Sequence, residues 1–225
     1  MMGKRGVKPK GKVKIQWSSN FAYAVGLLAS DGCIQNDGRH IDLTSKDRGQ
    51  LKNFLRALNI EVKITSKNSS LGRRYLRVQF GDVLFCEFLK TIGLTSAKSK
   101  TIGVIKIPSK YFFDFLRGSF DGDGTFYSYW DPRWRSSFMF YTVFISASHK
   151  HIDWIRRELF NRLKVKGHIA RDSKKSTYQL RYAKNESFKI LKNMYYSEAA
   201  ISLKRKRIKV EKALKINSKN SLNMV

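Results

Sequence analysis

The two stretches that decide the fold are AVGLLASDG at residues 24–32 and LRGSFDGDG at residues 116–124. Each follows an aromatic-rich run with helical spacing, and each ends in Asp-Gly, at Asp31 and at Asp123. A single Asp-Gly pair is an ordinary helix-ending turn, since glycine leaves a helix without steric strain. Two copies at matching places in the chain indicate an internal repeat with a shared role.

The segments that follow the two stretches also match each other. In the first copy, hydrophobic spacing predicts strands at 33–35, 40–45, 62–65 and 74–80, with helices around 51–58 and 84–89. In the second copy the same order recurs, with strands at 125–129, 138–146, 167–170 and 177–182 and helices around 152–163 and 188–191. The sequence therefore predicts an α+β fold of two αββαββα units. Its predicted parts are a basic arm at 1–16, repeats at 17–105 and 106–216, and a disordered tail at 217–225.

Small residues in both helices favour a close helix pair. Gly26 in the first helix and Gly118 in the second allow two backbones to approach each other. If the helices lie side by side, their C-terminal ends meet and bring Asp31 and Asp123 into one site. Carboxylates are disfavoured at helix C-termini, so a pair of them there indicates a bound cation. Hard divalent ions such as Mg²⁺ prefer such oxygen ligands.

Charge and composition restrict the class of partner. The chain has 225 residues, with 45 Lys and Arg against 17 Asp and Glu, a net charge of +28. An excess of this size calls for a polyanion, and the spread of the basic residues favours nucleic acid over a membrane surface. No apolar run is long enough to span a bilayer, and Cys33 and Cys86 lack partners at metal-ligand spacing. We expect an intracellular protein without a secretion signal.

With these residues in view, the chain resembles the single-chain, two-repeat LAGLIDADG homing endonucleases. The second stretch is a close match to the family motif, whereas in the first Ala29 replaces the earlier acidic residue. The resemblance implies two curved antiparallel sheets, forming a saddle around a central two-helix interface with pseudo-twofold symmetry. It implies Mg²⁺ held by Asp31 and Asp123, with Gly32 and Gly124 in the same metal site, and Ca²⁺ supporting binding without cleavage. Asp121 is expected to form hydrogen bonds at the helix end.

The resemblance also suggests basic residues around the metal site. Lys46, Lys98 and Lys204 are the candidates that would join Asp31 and Asp123 as catalytic residues, with the register of both Lys98 and Lys204 set only to within two residues. Since the counterpart of Lys46 falls near Ser148, the second half of the site is expected to lack that lysine, or to use Lys150 or His149 instead. For the histidines, surface or structural roles are expected.

The strand pattern supplies candidate DNA contacts, because alternate residues of a strand share one face. Arg and Gln are the side chains that pair with guanine and adenine edges. The candidates are Arg73, Tyr75, Arg77 and Gln79 in the first repeat, Thr177, Gln179 and Arg181 in the second, and also Arg39 and Lys63. Solvated outer faces of ordinary strands are the alternative.

The expected function is site-specific cleavage of double-stranded DNA by a monomer. The target would be long and asymmetric, and short 3′ overhangs would be left. The alternative is a non-cleaving nucleic-acid binder on the same fold, either a maturase acting on intron RNA or a transcription regulator. A scaffold for RNA or an anionic surface is disfavoured by the repeat.

Overall fold

The computed structural model describes residues 11–68, 72–134, 137–173 and 175–222. The first repeat has the predicted αββαββα order: α1 (Ser19–Ser30), β1 (Gly32–Ile34), β2 (His40–Ser45), α2 (Arg48–Leu58), β3 (Thr65–Asn68), β4 (Arg74–Gly81) and α3 (Val83–Thr91). The second repeats it: α4 (Phe112–Gly122), β5 (Thr125–Trp130), β6 (Phe138–Ser146), α5 (His149–Leu163), β7 (His168–Asp172), β8 (Thr177–Tyr182) and α6 (Lys184–Met194). The last helix is α7 (Lys204–Leu222).

Each repeat forms one four-stranded antiparallel sheet, with strand order β1-β2-β4-β3 in the first and β5-β6-β8-β7 in the second. The predicted α+β fold is therefore confirmed. The strand predicted at 62–65 was wrong, because pairing with β4 begins only at Thr65, opposite Arg77. Val62 and Ile64 are β-branched, which suggested a strand, but they come before the strand begins and pack against the core.

The paired helices α1 and α4 form the centre of the molecule. A Cβ atom on Gly26 would lie 2.1 Å from the carbonyl oxygen of Phe115, and one on Gly118 would lie 2.0 Å from that of Tyr23. Neither distance leaves room for a side chain, so the close approach depends on glycine at both positions. The structure thus places Gly26 and Gly118 in the predicted helix interface.

The strands have one face in the core and one outside. In β4, Val78 and Phe80 are buried, while Gln79 between them is exposed. In β8, Leu180 and Tyr182 are buried, and Arg181 is exposed. The alternation read from the sequence therefore describes both strands, and the apolar faces close the core beneath the sheets.

The two ends of the described chain are attached to the repeats. Asp82 accepts hydrogen bonds from the backbone N–H groups of Lys12 and Val13, at 2.7 and 2.9 Å. Residues 1–10, the rest of the predicted basic arm, lie outside the described residues. At the other end α7 continues to Leu222, into the segment for which the sequence predicts disorder. Among the described helices, none is long and apolar enough to cross a membrane.

Candidate active site and nucleic-acid interface

Asp31 and Asp123 are the residues at which the two central helices end. Both have αR backbone geometry, with φ of −90° in each case, and the N–H of each still bonds back into its helix. Because α1 and α4 are in contact, the two ends are neighbours: a Cβ atom on Gly122 of α4 would lie 3.1 Å from Asp31 Oδ2. The structure therefore brings the two predicted carboxylates to one place.

Burial disfavours the negatively charged forms of the two carboxyl groups at this site. Burial, together with the neighbouring charge of Asp123, raises the pKa of Asp31 to about 6. Burial also raises the pKa of Asp123. The positive charges of Lys98 and Lys206 act in the opposite direction on both carboxyl groups. Two carboxyl groups and two lysine side chains thus share one desolvated pocket.

Lys98 and Lys206 occupy equivalent positions in the two repeats. Lys98 Nζ donates to the carbonyl oxygen of Gly32 at 2.5 Å, and Lys206 Nζ donates to that of Gly124 at 2.6 Å. Both lysines are only 7% exposed. Burial lowers the pKa of Lys98, and it lowers that of Lys206 to about 8, against the opposing charges of the aspartates.

The structure places Lys206, two residues beyond the predicted Lys204, beside the carboxylates. Lys204 begins α7 and is exposed, whereas Lys206 lies on the face of α7 that also carries the buried Val210 and Ala213. The spacing of 206, 210 and 213 is that of a buried helical stripe. Lys204 lies outside this stripe, so its side chain does not enter the pocket.

The structure places Lys46 beside Tyr75 of the first sheet. Its Nζ lies 5.5 Å above the ring centroid of Tyr75, and the side chain is exposed. Its predicted counterpart Ser148 is buried and donates to the carbonyl oxygen of Ile102 at 2.5 Å. Lys46 thus lies with the polar face of the first sheet. The expected difference between the two repeats, Lys46 in one and Ser148 in the other, is therefore a difference at that face.

Gln50, which was not among the residues predicted from the sequence, contacts Asp31 directly. Gln50 Nε2 donates a short hydrogen bond to Asp31 Oδ2, and its Oε1 accepts from Ser45 Oγ at 2.7 Å. The second bond fixes which end of the amide faces the carboxylate. The available signal was a polar residue on the apolar face of α2, one turn before Phe54. At the equivalent place in α5, His151 bonds instead to the carbonyl oxygen of Gly103, and burial lowers its pKa to about 4.

The donor set fits a hard cation that keeps part of its own hydration. Within the described ranges, no group of three or more His, Cys, Asp or Glu side chains could hold a metal ion. Asp31 and Asp123 would therefore act with backbone carbonyls, water or a phosphate. Mg²⁺ commonly binds through one or two carboxylates plus such ligands. The carbonyl oxygens of Gly32 and Gly124 already accept from lysines, but each has a second lone pair.

The polar sheet faces place most of the predicted DNA contacts together. In the first sheet Arg77 lies opposite Thr44, and Gln79 lies opposite Asp42. In the second sheet Gln179 lies opposite Ile145, and Arg181 opposite Val143. The remaining candidates are placed as follows: Tyr75 and Thr177 are half-buried at strand positions, and Arg73, Arg39 and Lys63 are exposed next to strands.

The two polar faces differ in chemistry. The first carries charged and amide groups, whereas the second carries a row of tyrosines. Tyr127 and Tyr141 stack at 5.1 Å between ring centroids, and Tyr129 stacks on Tyr141 at 6.3 Å. A duplex lying along both sheets would meet different side chains in its two halves.

Asp121 has the hydrogen-bonding role expected of it. It is fully buried, and its Oδ2 accepts from Tyr23 Oη at 2.8 Å and from the N–H of Leu203 at 2.6 Å. The first bond joins α4 to α1, and the second joins α4 to the segment just before α7. Asp121 therefore helps to hold Lys206 beside the carboxylates.

Comparisons with known proteins agree with this architecture. Residues 19–93 match the family model of the LAGLIDADG-like domain, and no match to a curated protein was found. Full-length DUF199/WhiA from Thermatoga maritima is 15% identical with a TM-score of 0.58, covering 92% of this chain and 63% of WhiA. This chain thus spans less than two thirds of that protein.

Two DNA complexes have the same fold. The homing endonuclease I-WcaI, bound to its DNA recognition sequence, is 15% identical with a TM-score of 0.53, covering 84% of this chain and 89% of its own. A variant of I-DmoI in complex with its target DNA, in the presence of magnesium, is 18% identical with a TM-score of 0.51, covering 80% and 97%. The resemblance is thus confirmed at the level of the fold: residues 19–93 match the LAGLIDADG-like domain, and the two repeats together have the fold of LAGLIDADG homing endonucleases.

Proposed function

We propose that this chain is a site-specific, divalent-metal-dependent endonuclease of double-stranded DNA. The observation that carries the proposal is the meeting of Asp31 and Asp123, at the ends of paired helices, between two buried lysines. Burying like charges together destabilises a protein, so a molecule that only binds DNA gains nothing from the arrangement. A bound cation would use the two carboxylates, and a phosphate would use the two lysines.

Each group at the site has a proposed role in phosphodiester hydrolysis. Asp31 and Asp123 would hold the metal, with Gly32 and Gly124 contributing carbonyl oxygens. A bound divalent ion would supply a water nucleophile of lowered pKa and stabilise the leaving oxygen. Lys98 and Lys206 would place positive charge next to the scissile phosphate, and Gln50 would hold Asp31 in position. I-DmoI, crystallised with target DNA and magnesium, supports this choice of metal.

DNA binding would use the polar faces of both sheets, with the net charge of +28 supplying the attraction to phosphates. Since the two repeats are joined in one chain and carry different faces, a monomer would read a long asymmetric target. The candidate base contacts are those named above, from Arg77 and Gln79 in the first sheet to Gln179 and Arg181 in the second.

Selection of cleaved sequences from a randomised DNA library, in Mg²⁺, tests the proposal. We expect a defined target cut on both strands with short 3′ overhangs, and binding without cutting in Ca²⁺. Asp31→Asn and Asp123→Asn should each abolish cutting while leaving binding. Lys206→Met should slow cutting, with Lys204→Met as the matched control, because only the former changes a buried site lysine. Equal cutting by a protein carrying both Asn substitutions would refute the proposed site.

A second candidate function is binding without cleavage, because the fold is shared by WhiA as well as by homing endonucleases. Such a protein would act as a transcription regulator, or as a maturase on intron RNA. Selection for bound sequences, run beside the cleavage selection, separates the two functions. Tight sequence-specific binding with no cut product in Mg²⁺ or Mn²⁺ would favour the binder.

A further inference from the structure

One carboxylate lies on the polar face of the first sheet, among residues proposed to contact DNA. Asp42 is in the middle of β2, opposite Cys33 of β1 and Gln79 of β4. It is only 4% exposed, although its neighbours Ile41 and Leu43 are the residues that face the core. A negative charge in this place opposes DNA binding, so its presence requires another explanation.

Asp42 is surrounded by hydrogen-bond donors from several strands. Arg77 Nη2 lies 2.5 Å from its Oδ2, and Thr44 Oγ1 donates to its Oδ1 at 3.1 Å. Gln35 Nε2 lies 3.5 Å away and Lys67 Nζ 3.9 Å away, both from Oδ2. The carboxylate thus connects side chains that reach it from all four strands or their ends.

Arg77 is held more firmly than a surface arginine by this contact. Its side chain is 23% exposed, and its Nε is buried without a hydrogen-bond partner among the described residues. Since Nε is buried and one Nη2 hydrogen is directed at Asp42, the donors left for a base are those of Nη1 and the second hydrogen of Nη2. A planar pair of donors is what recognises O6 and N7 of guanine. Fixing the plane in advance reduces the entropy lost on binding.

The second repeat lacks this arrangement. The residue equivalent to Asp42 is Val143, which lies opposite Thr125 and Arg181 in the same register. Arg181 is exposed, and its Nη2 lies 3.5 Å from Gln179 Oε1. Arg77 therefore has a carboxylate beside it, whereas Arg181, on the equivalent face of the second sheet, lies opposite the apolar Val143.

We propose that Asp42 is a specificity-determining positioning residue, which holds Arg77 in the orientation that reads a guanine in one half of the target. The proposal rests on the proposed function only in that the first sheet faces duplex DNA; it does not require cleavage. Asp42 has a second effect, because its charge weakens binding at sites where Arg77 finds no guanine. Arg181 contributes less base discrimination.

Selection of bound duplexes from a randomised library, in Ca²⁺, tests the proposal in wild type, Asp42→Asn, Arg77→Lys and the double variant. We expect one guanine position whose preference is lost in Arg77→Lys. Asp42→Asn should reduce that preference by at least about fivefold, the lower end for a bidentate base contact. Affinity for non-specific DNA should rise in the same variant. The double variant should lose no more of the guanine preference than Arg77→Lys alone, since both changes act through one contact.

Arg181→Lys is the matched control, and it should leave the guanine position unchanged. An unaltered guanine preference in Asp42→Asn, or a loss spread over both halves of the target, would overturn the proposal. Thermal unfolding checks the fold, and Asp42→Thr, which suits a strand, removes the charge if the first variant is unfolded. If neither variant folds, Asp42 is structural and the proposal fails. Base-specific binding by a wild type that never cuts would refute the nuclease function and leave this inference standing.

Discussion

Replacing Asp31 by Asn should stabilise the metal-free protein while removing its activity. The pKa of Asp31 is raised from the ordinary 3.8 to about 6, so its ionised form is disfavoured in the fold. At pH 7 this amounts to about 3 kcal/mol, at 1.36 kcal/mol per pH unit. Asn keeps the shape and can still accept the hydrogen bond from Gln50, but it carries no charge. For a chain of this length, ~3 kcal/mol corresponds to a rise in melting temperature of about 6–12 °C.

The stability gained by Asp31→Asn should depend on pH, and its direction follows from the raised pKa of Asp31. Because the folded-state pKa of Asp31 is above its unfolded value, the wild type loses stability as pH rises from about 4 to about 6. The difference between variant and wild type should therefore be near zero at pH 4, grow through that range, and stay constant above it. Thermal melts followed by circular dichroism in EDTA, from pH 4 to pH 8, measure this difference.

Added Mg²⁺ should reverse the order of stability. An ion that binds only the folded wild type stabilises it by about 4.1 kcal/mol at a thousand times the dissociation constant, which exceeds the ~3 kcal/mol advantage of the variant. The Asn variant should gain little. Asp153→Asn is the control, since Asp153 lies in a surface ion pair with Arg157 and should show neither effect. A variant that melts at or below the wild-type temperature in EDTA at pH 7 would show that Asp31 is not destabilising, and the electrostatic account of the site would fail.

Three further substitutions test the packing and the surroundings of the site. Gly118→Ala should destabilise the fold by ~1–3 kcal/mol or more in urea unfolding, because its methyl group would overlap a backbone carbonyl of α1. Gly103→Ala should not, because the added methyl group would enter open space. Arg117→Met should cost about 3–5 kcal/mol by the same measurement, because it leaves a buried aspartate without its ion pair. Gln50→Leu should raise the pKa of Asp31 above 6, so Mg²⁺-dependent stabilisation should require a higher pH than in wild type.

The features predicted from sequence are those with local or repeated signals. The close helix pair followed from Gly26 and Gly118, because no other residue type allows that approach. The two faces of β4 followed from strict alternation along the strand. The meeting of Asp31 and Asp123 followed from the repeat itself, since two equivalent helices packed together must bring equivalent ends together.

The features that were missed depend on contacts between distant parts of the chain. Gln50 reaches Asp31 only because α2 packs beneath the site, and spacing within α2 does not show what lies opposite it. The choice between Lys204 and Lys206 depends on where α7 begins, which is the least certain part of a helix prediction. Asp42 carries no signal of its own in the sequence, because a carboxylate can influence a base contact only through the arginine beside it, and Arg77 lies on another strand.

The second motif matches the LAGLIDADG pattern more closely than the first, and contacts in the second repeat give a physical reason for this difference. Asp114, Arg117 and Asp121 of α4 correspond to Ala22, Val25 and Ala29 of α1, so one helix has polar groups where the other is apolar. Arg117 is fully buried and donates to the carbonyl oxygens of two C-terminal residues, Met194 and Ile201, while Asp121 binds Leu203. These bonds fix the segment that leads to Lys206. Ala29, at the position equivalent to Asp121, has no polar side chain and lies in the core. The acidic residues that distinguish the second motif thus act on the site indirectly, by positioning a lysine, whereas Asp31 and Asp123 are the carboxylates that face it.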